Sequence, residues 1–387
     1  MEAIYNLSNG IKVHYLRYPN KANNICLIIG FKNGASVDKY GKEGTVHLLE
    51  HLIIKNFEKN GINELLENKG FDVNGETNIS DMTLILKSNK NDVEKAITLV
   101  TKTLNNIKIS KKMLFNERKI VKAEYYERLN ELDANTDFIL MRYGLYFYKE
   151  YNREETIKSL SKITVKDILD AKRQLFRKKN IIITLFGSIK ISDFPKYNKL
   201  FEKINLNKET QYPVHVSTKG IAPVIRRKIG ILNFIKDKPD INDVIFSNIF
   251  SNVMTGWFNA ALDVYLRDEA KFSYGAENYI QITPKSISNV FYFQAYSKKK
   301  IQKTLLQKNK YDFLPEYKYF RYGKQRTLED FYDSSLEKLT SLFETIHLNI
   351  SSNIKYSEYL KRLKNFDYKE FKNIFESLKL YKLPGWL

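Results

Sequence analysis

The chain has 387 residues, 43% of them hydrophobic, which is enough for two domains of ordinary size with a core each. It contains no run of the ~20 apolar residues that a membrane-spanning helix needs, and no apolar run that follows a basic segment as in a signal peptide. Its single cysteine, Cys26, excludes an intrachain disulfide. We therefore expect a cytoplasmic protein with no membrane contact.

The net charge of +20 comes from 64 Lys and Arg residues against 44 Asp and Glu residues. A basic chain of this kind is sometimes a nucleic-acid-binding protein. Here the excess is spread along the whole sequence, and no RRM, KH or zinc-finger pattern accompanies it. Nucleic acid is therefore not an expected partner.

The first half begins with a predicted β-hairpin, because Asn9-Gly10 separates two β-prone runs. Strand-like and helix-like segments then follow in clusters rather than in strict alternation, which is typical of an α+β fold. The predicted strands are 3–7, 11–16, 24–31, 72–78, 82–87 and 181–187. The predicted helices are 43–58, 62–68, 93–106, 111–132, 138–148 and 164–177.

A polar stretch with Pro213 predicts a linker at 206–222, which divides the chain into an N-terminal domain, 1–205, and a C-terminal domain, 223–387. We expect two similar domains, each an antiparallel-rich mixed sheet packed with helices. In the second domain the predicted strands are 224–234, 272–282 and 289–297, and the predicted helices are 241–254, 257–269 and most of 301–378. Outside the motif described next, we expect His14 to be structural, His215 to have no chemical role and His347 to lie on a helix surface.

The pentad His47-Leu48-Leu49-Glu50-His51 lies within the predicted helix 43–58. Residues four apart share one face of a helix, so His47 and His51 can reach one point with Glu50 beside them. Two imidazoles at this spacing can bind zinc, and the adjacent carboxylate can take a proton from a water. The arrangement is the H-x-x-E-H motif of the inverzincins.

A catalytic zinc site usually has three protein ligands. Glu117 and Glu124 lie seven residues apart on the predicted helix 111–132 and therefore share a face. Glu127 and Glu131 lie on neighbouring faces. Spacing alone does not choose among these four carboxylates.

The pentad, followed by the segment from Glu117-Arg118 to Glu124, resembles the pitrilysin, insulysin and mitochondrial processing peptidase family. The lead-in Gly34-Ala35-Ser36-Val37-Asp38 is similar to the family's segment before the pentad. The resemblance implies that Glu124 is the third zinc ligand and that Glu117 is a supporting acid.

Two further segments carry the same resemblance. Asn74-Gly75-Glu76-Thr77 is similar to the family's Asn-Ala-x-Thr on an edge strand, where the substrate is held as an added strand. Arg267 and Tyr274 resemble an Arg and a Tyr in the family's C-terminal domain. There the pair contacts the substrate and its oxyanion.

The resemblance implies a zinc-dependent metalloendopeptidase that cleaves short unfolded peptides, with one Zn²⁺ per chain on His47, His51 and Glu124 and with Glu50 as the base. It also implies two domains that form half of a clamshell, and a homodimer, or a heterodimer with a related subunit. The alternative is a non-catalytic or partner-dependent structural subunit of a heterodimeric processing peptidase. Such subunits typically have eroded zinc ligands, whereas this pentad is intact.

Overall fold

The computed structural model describes residues 1–18, 24–62, 72–128, 153–208, 229–271, 273–294 and 307–384. Its contacts divide these residues into two compact units. Unit 1 takes in the described residues up to 208 together with 335–348, and unit 2 takes in those of 229–334 and 349–384. No helix among the described residues is long and apolar enough to cross a bilayer.

Unit 1 is built on a six-stranded mixed sheet in the order β1-β2-β6-β3-β5-β4. Its strands are β1 (Glu2–Asn6), β2 (Lys12–Arg17), β3 (Asn24–Phe31), β4 (Asp72–Thr77), β5 (Met82–Asn89) and β6 (Ile181–Gly187). The predicted hairpin is confirmed, with Ile4 opposite His14. Strands β2 and β6 are parallel, and every other neighbouring pair is antiparallel. Strand β4 is the outermost at one edge, which leaves its far side without a described neighbour.

The described residues up to 208 form six α-helices beside this sheet, in chain order α1 (Thr45–Phe57), α2 (Val93–Asn105), α3 (Lys111–Arg128), α4 (Arg153–Leu160), α5 (Val165–Leu175) and α6 (Phe194–Phe201). Apolar residues of alternate strand positions and of the helices form one large core, which includes Ile29, Leu84, Leu49 and Leu175. Helix α5 begins with a reciprocal capping box between Thr164 and Asp167.

A seventh helix of unit 1, α10 (Leu336–Asn349), comes from far along the chain. Leu336 packs against Cys26, and a Cβ at Gly30 would lie 2.5 Å from Glu344 Oε1. The sequence placed this segment in the domain 223–387, whereas its contacts assign it to unit 1.

The helix α10 also corrects the expectation for His347. This residue is buried, and its ring stacks on that of His14 with centroids 3.8 Å apart, so it does not lie on a helix surface. His14 is buried in β2, as expected for a structural residue.

Unit 2 contains a four-stranded antiparallel sheet in the order β10-β7-β9-β8. Its strands are β7 (Ile229–Asp237), β8 (Glu277–Ile282), β9 (Ser286–Gln294) and β10 (Lys379–Pro384). Strand β10 was not predicted, because a six-residue run that ends in proline carries little strand signal.

The helices of unit 2 are α7 (Ile241–Met254), α8 (Ala261–Val264), α9 (Tyr317–Asp333), α11 (Tyr356–Asn365) and α12 (Tyr368–Ser377). Helix α7 agrees with its predicted bounds. The predicted helix 257–269 is instead the short α8 followed by a π-helical turn, Tyr265–Glu269.

The α+β prediction is confirmed, since each unit has a sheet packed with helices. The linker 206–222 with His215 and the predicted helices 62–68 and 138–148 fall wholly or almost wholly outside the described residues.

Candidate metal centre

Helix α1 begins at a cap built by Asp38. The Asp38 carboxylate accepts the backbone N–H groups of Gly44, at 2.8 Å, and Val46, at 3.0 Å, which otherwise lack partners within the helix. Gly44 has a φ of 87°, a left-handed conformation that favours glycine. Burial raises the pKa of Asp38 from 3.8 to about 8, although its backbone hydrogen bonds oppose the shift. This cap fixes where the pentad begins.

The pentad lies in the first turns of α1, where the helical period brings its polar side chains together. The rings of His47 and His51 meet edge to face, with centroids 4.9 Å apart. One ligand atom from each of His47, Glu50 and His51 lies within 4.8 Å of the other two. The spacing predicted this convergence.

Helix α3 brings Glu124 against both imidazoles. Glu124 Oε2 lies 3.4 Å from His47 Nε2, and Glu124 Oε1 lies 3.5 Å from His51 Nε2. Of the competing carboxylates, Glu127 is exposed to solvent and Glu131 lies outside the described residues. The rotation of α3 therefore presents Glu124, rather than Glu127, to the histidines.

The other nitrogen of each imidazole faces a different partner. His51 Nδ1 lies 3.4 Å from a carboxylate oxygen of Glu117, which is only 4% exposed. His47 Nδ1 lies 3.4 Å from the hydroxyl oxygen of Tyr125, whose ring also meets the imidazole edge to face. Partners on Nδ1 orient the rings so that both Nε2 atoms point toward Glu124. Sequence reasoning missed Tyr125, and its position directly after Glu124 was the one available signal.

The donor set fits a tetrahedral zinc ion. Ligand atoms bound at ~2.0–2.1 Å lie roughly 3.3–3.4 Å apart at the corners of a tetrahedron, close to the separations of Glu124 from His47 and His51. Burial, and then the neighbouring His47, lower the pKa of His51, which favours the neutral ring that a metal binds. Two imidazole nitrogens and one carboxylate leave the fourth corner of the tetrahedron to water or substrate.

Glu50 is 4% exposed and is held from the side of strand β4. The Thr77 hydroxyl donates to Glu50 Oε2 at 2.6 Å. A Cβ at Gly75 would lie 2.7 Å from Glu50 Cγ, so only glycine fits there without a shift. Burial raises the pKa of Glu50, while His47 and the Thr77 hydrogen bond oppose this shift.

The predicted substrate strand, Asn74 to Thr77, forms most of β4. Gly75 and Thr77 adjoin Glu50 on α1, whereas Asn74 and Glu76 alternate with them and are exposed. As the outermost described strand of the sheet, β4 has an edge that a peptide can pair with.

Arg267 and Tyr274 line a cavity of about 610 Å³ in unit 2. The Arg267 guanidinium forms a fork with Asp268, at 2.8 and 2.9 Å, and stacks over the Phe258 ring 4.0 Å from its centroid. Tyr274 is 82% exposed. The two predicted residues therefore share one cavity, with Arg267 held in place and Tyr274 in solvent.

Two family models match the chain. Residues 16–142 match the model described as Insulinase (Peptidase family M16), and residues 162–317 match the Peptidase M16 inactive domain. The first match contains the pentad and Glu124, and the second contains Arg267 and Tyr274.

Curated relatives and solved structures agree with these matches. The zinc protease PqqE of Helicobacter pylori is 23% identical over 235 residues, which are 58% of this chain and 53% of that protein. A protein of Schizosaccharomyces pombe described as probable mitochondrial-processing peptidase subunit beta is 24% identical over 198 residues, 49% of this chain and 42% of that protein. The matched segments thus span about half the length of these relatives. The crystal structure of a protease from Helicobacter pylori has the same fold, with a TM-score of 0.79 at 16% identity over 98% of this chain and 96% of that one.

Proposed function

Because the chain belongs to the insulinase family, Peptidase family M16, we propose that it is a zinc-dependent metalloendopeptidase that hydrolyses short unfolded peptides. The observation that carries this proposal is the convergence of His47 Nε2 and His51 Nε2 on one carboxylate, that of Glu124, with the buried Glu50 beside them. His47, His51 and Glu124 would hold one Zn²⁺ per chain. The intact ligand set favours an enzyme over a structural subunit.

Zinc at this site supplies the Lewis acidity that polarises a peptide carbonyl and activates water. Glu50 takes the proton from the attacking water and passes it to the leaving amine. Its burial raises the pKa of its carboxyl group, which suits a group that must hold this proton between the two steps. The Thr77 hydroxyl fixes the Glu50 carboxylate, while Glu117 and Tyr125 orient the two imidazoles.

We place the substrate beside β4, where Asn74, Gly75, Glu76 and Thr77 would bind it as an added strand. Backbone pairing gives affinity without demanding a particular side chain, which suits peptides of varied sequence. Arg267 is proposed to bind the substrate backbone, and Tyr274 to hold the region of the scissile bond and its oxyanion.

We propose a homodimer in a reducing, cytoplasmic compartment, which agrees with a single buried free cysteine, Cys26. The second candidate is a non-catalytic or partner-dependent subunit of a heterodimeric peptidase. It is favoured by the description of the second family model as an inactive domain and by the likeness to a processing-peptidase subunit. Hydrolysis by the purified chain alone separates the two candidates.

The direct test is zinc per chain together with hydrolysis of a quenched fluorescent peptide. We expect Glu50→Gln to keep its zinc while kcat falls by about 10²–10⁴-fold, because the general base is lost. His51→Ala should lose both zinc and activity. Glu127→Gln, on the same helix as Glu124 but exposed, is the matched control and should leave both unchanged. Full activity in Glu50→Gln would contradict the mechanism.

A further inference from the structure

Helix α3 has two faces of different chemistry. One face carries Glu117 and Glu124 to the histidines and buries Val121. The opposite face carries six exposed basic or aromatic residues, and the exposed Asn116, Ala123 and Glu127 lie along its border. We call it the basic-aromatic face, and it consists of Lys111, Lys112, Phe115, Lys119, Lys122 and Tyr126.

The spacing of this face makes it one continuous stripe. Phe115, Lys119, Lys122 and Tyr126 recur at intervals of four, three and four residues, which places them in line on a helix. Phe115 is 54% exposed and Tyr126 is 52% exposed. Large apolar groups in solvent in such a line are typical of an interaction surface.

A cavity of about 690 Å³ opens at the N-terminal end of the stripe. Its apolar walls are Leu114 and Phe115 from α3 and Ile163 and Val165 from the start of α5. Thr164 and four cationic residues complete the lining: Lys111, Lys112, Arg118 and Lys166.

The cations of the cavity have no acidic counterpart within it. None of the described residues that line it carries a carboxylate. The nearby Asp167 pairs with Lys42 and caps α5, so its charge is already engaged. Arg118 is fixed against the wall, where its guanidinium donates to the Ile163 carbonyl at 2.7 Å. The site is therefore an apolar cavity with a positive rim.

We propose that the basic-aromatic face and this cavity form a docking surface for an acidic polypeptide segment that carries one bulky apolar side chain. The apolar side chain fills the cavity, as anchor residues fill pockets at the centre of protein interfaces. The carboxylates of the segment pair with the lysines along the stripe, which raises the association rate and selects acidic partners.

The contacts along the stripe favour a polypeptide over a nucleic acid or a membrane. Stacking of bases needs open ring faces, and a lysine takes one face of each ring here: the Nζ of Lys119 lies 4.3 Å from the Phe115 ring centre and the Nζ of Lys122 lies 5.7 Å from that of Tyr126. Membrane binding needs a continuous apolar face, whereas here Lys119 and Lys122 separate the exposed Phe115 and Tyr126 rings and the remaining apolar residues line a cavity.

This surface is separate from the candidate metal centre. Glu117 and Glu124 point to the other side of α3, so an occupant of the basic-aromatic face does not contact the histidines. The proposal therefore stands whether or not the chain hydrolyses peptides.

The test is fluorescence anisotropy with three labelled synthetic peptides and the full-length, zinc-loaded protein in a Glu50→Gln background, which keeps the probes intact. One peptide is rich in Asp and Glu and has a single central Leu, the second replaces this Leu by Ser, and the third replaces the acids by Lys. We expect the first to bind most tightly, with an affinity that falls as salt rises. The double variant Lys119→Glu with Lys122→Glu should weaken binding by about tenfold or more.

The matched control is Lys102→Glu with Lys199→Glu, which changes the net charge equally at exposed lysines of α2 and α6. It should bind the first peptide as the unaltered protein does, and melting temperatures of both variants check folding. Equal loss in the two double variants, or no binding up to ~1 mM peptide, would overturn the proposal. So would tighter binding of anionic vesicles or single-stranded RNA that the Lys119 and Lys122 changes abolish.

Discussion

Helix α1 in unit 1 and helix α7 in unit 2 each pack against the sheet of their own unit and each begin at an aspartate cap. Asp38 accepts backbone N–H groups at the start of α1, and Asp240 accepts those of Asn242 and Asp243 at the start of α7. Beyond the cap they diverge. The first two turns of α1 carry the polar residues His47, Glu50 and His51, whereas α7 buries the aromatic rings of Phe246 and Phe250.

The two helices differ in what their buried side chains contact. Among the described residues, Phe250 has five aromatic neighbours with ring centroids at 5.1–6.0 Å: Phe234, Phe246, Phe291, Phe371 and Phe375. Such contacts stabilise a core directly. The Glu50 side chain is instead held by the Thr77 hydroxyl, and it fits against β4 because Gly75 has no side chain. Both helices bury apolar residues in the core of their unit, but α1 also positions the polar side chains of the candidate metal centre.

The largest expected effect is on α7. Phe250→Ala should lower the free energy of unfolding by about 3–5 kcal/mol, because it removes a buried ring and leaves a cavity. Urea unfolding followed by tryptophan fluorescence measures this. Phe258→Ala, which removes a ring that is 68% exposed, is the control and should change stability by less than about 0.5 kcal/mol. Equal losses in the two variants would contradict the stabilising role of the buried Phe250 ring.

On α1 the corresponding change is Gly75→Ala. The new methyl group would meet Glu50 at 2.7 Å and displace its carboxylate. A misplaced base should lower kcat by about 10–100-fold while zinc content, measured by atomic absorption, stays at the level of the unaltered chain. Unchanged peptidase activity would show that Glu50 does not work from the position it occupies beside β4.

A smaller effect is expected at Tyr125. Tyr125→Phe removes the hydroxyl beside His47 Nδ1, and loss of such a partner typically weakens metal binding by about tenfold. Competition with a chromogenic chelator measures the zinc affinity. Tyr126→Phe, the next residue along α3 and an exposed one, should leave the affinity unchanged. If both variants bind zinc equally well, Tyr125 does not orient the imidazole.

The last prediction concerns the pH dependence of the cap of α1. Burial raises the pKa of Asp38 from 3.8 to about 8 in the folded protein. The folded state then binds a proton more tightly than the unfolded state between these values, so the contribution of Asp38 to stability falls as pH rises from about 4 to 8. The side chain of Asp38→Asn cannot titrate. The difference in melting temperature between the unaltered protein and this variant should therefore narrow or reverse as pH rises from about 4 to 8. A difference in melting temperature that stays constant with pH would show that Asp38 does not cause the pH dependence of stability.

Much of the candidate metal centre could be predicted, because His47, Glu50 and His51 lie within one helical turn and a half. The choice of Glu124 over Glu127 and Glu131 needed the family resemblance, since it depends on the rotation of α3. The partners Tyr125 and Thr77 depend on how α3 and β4 approach α1, and no local pattern encodes that approach. Long-range contacts were also missed, among them the His14–His347 stack between residues more than 300 positions apart.

The assignment of α10 to unit 1 has a consequence for synthesis of the chain on the ribosome. Until Leu336–Asn349 emerges, the face of the first sheet around Cys26, Ile28 and Gly30 has no cover. At ~5–20 residues per second, roughly 7–30 s separate the end of the N-terminal part of unit 1 from this helix. The nascent chain is thus exposed to chaperones and proteases for that interval. In a fragment that ends near residue 208, this face of the sheet would stay uncovered. Adding α10 as a separate peptide should cover it again.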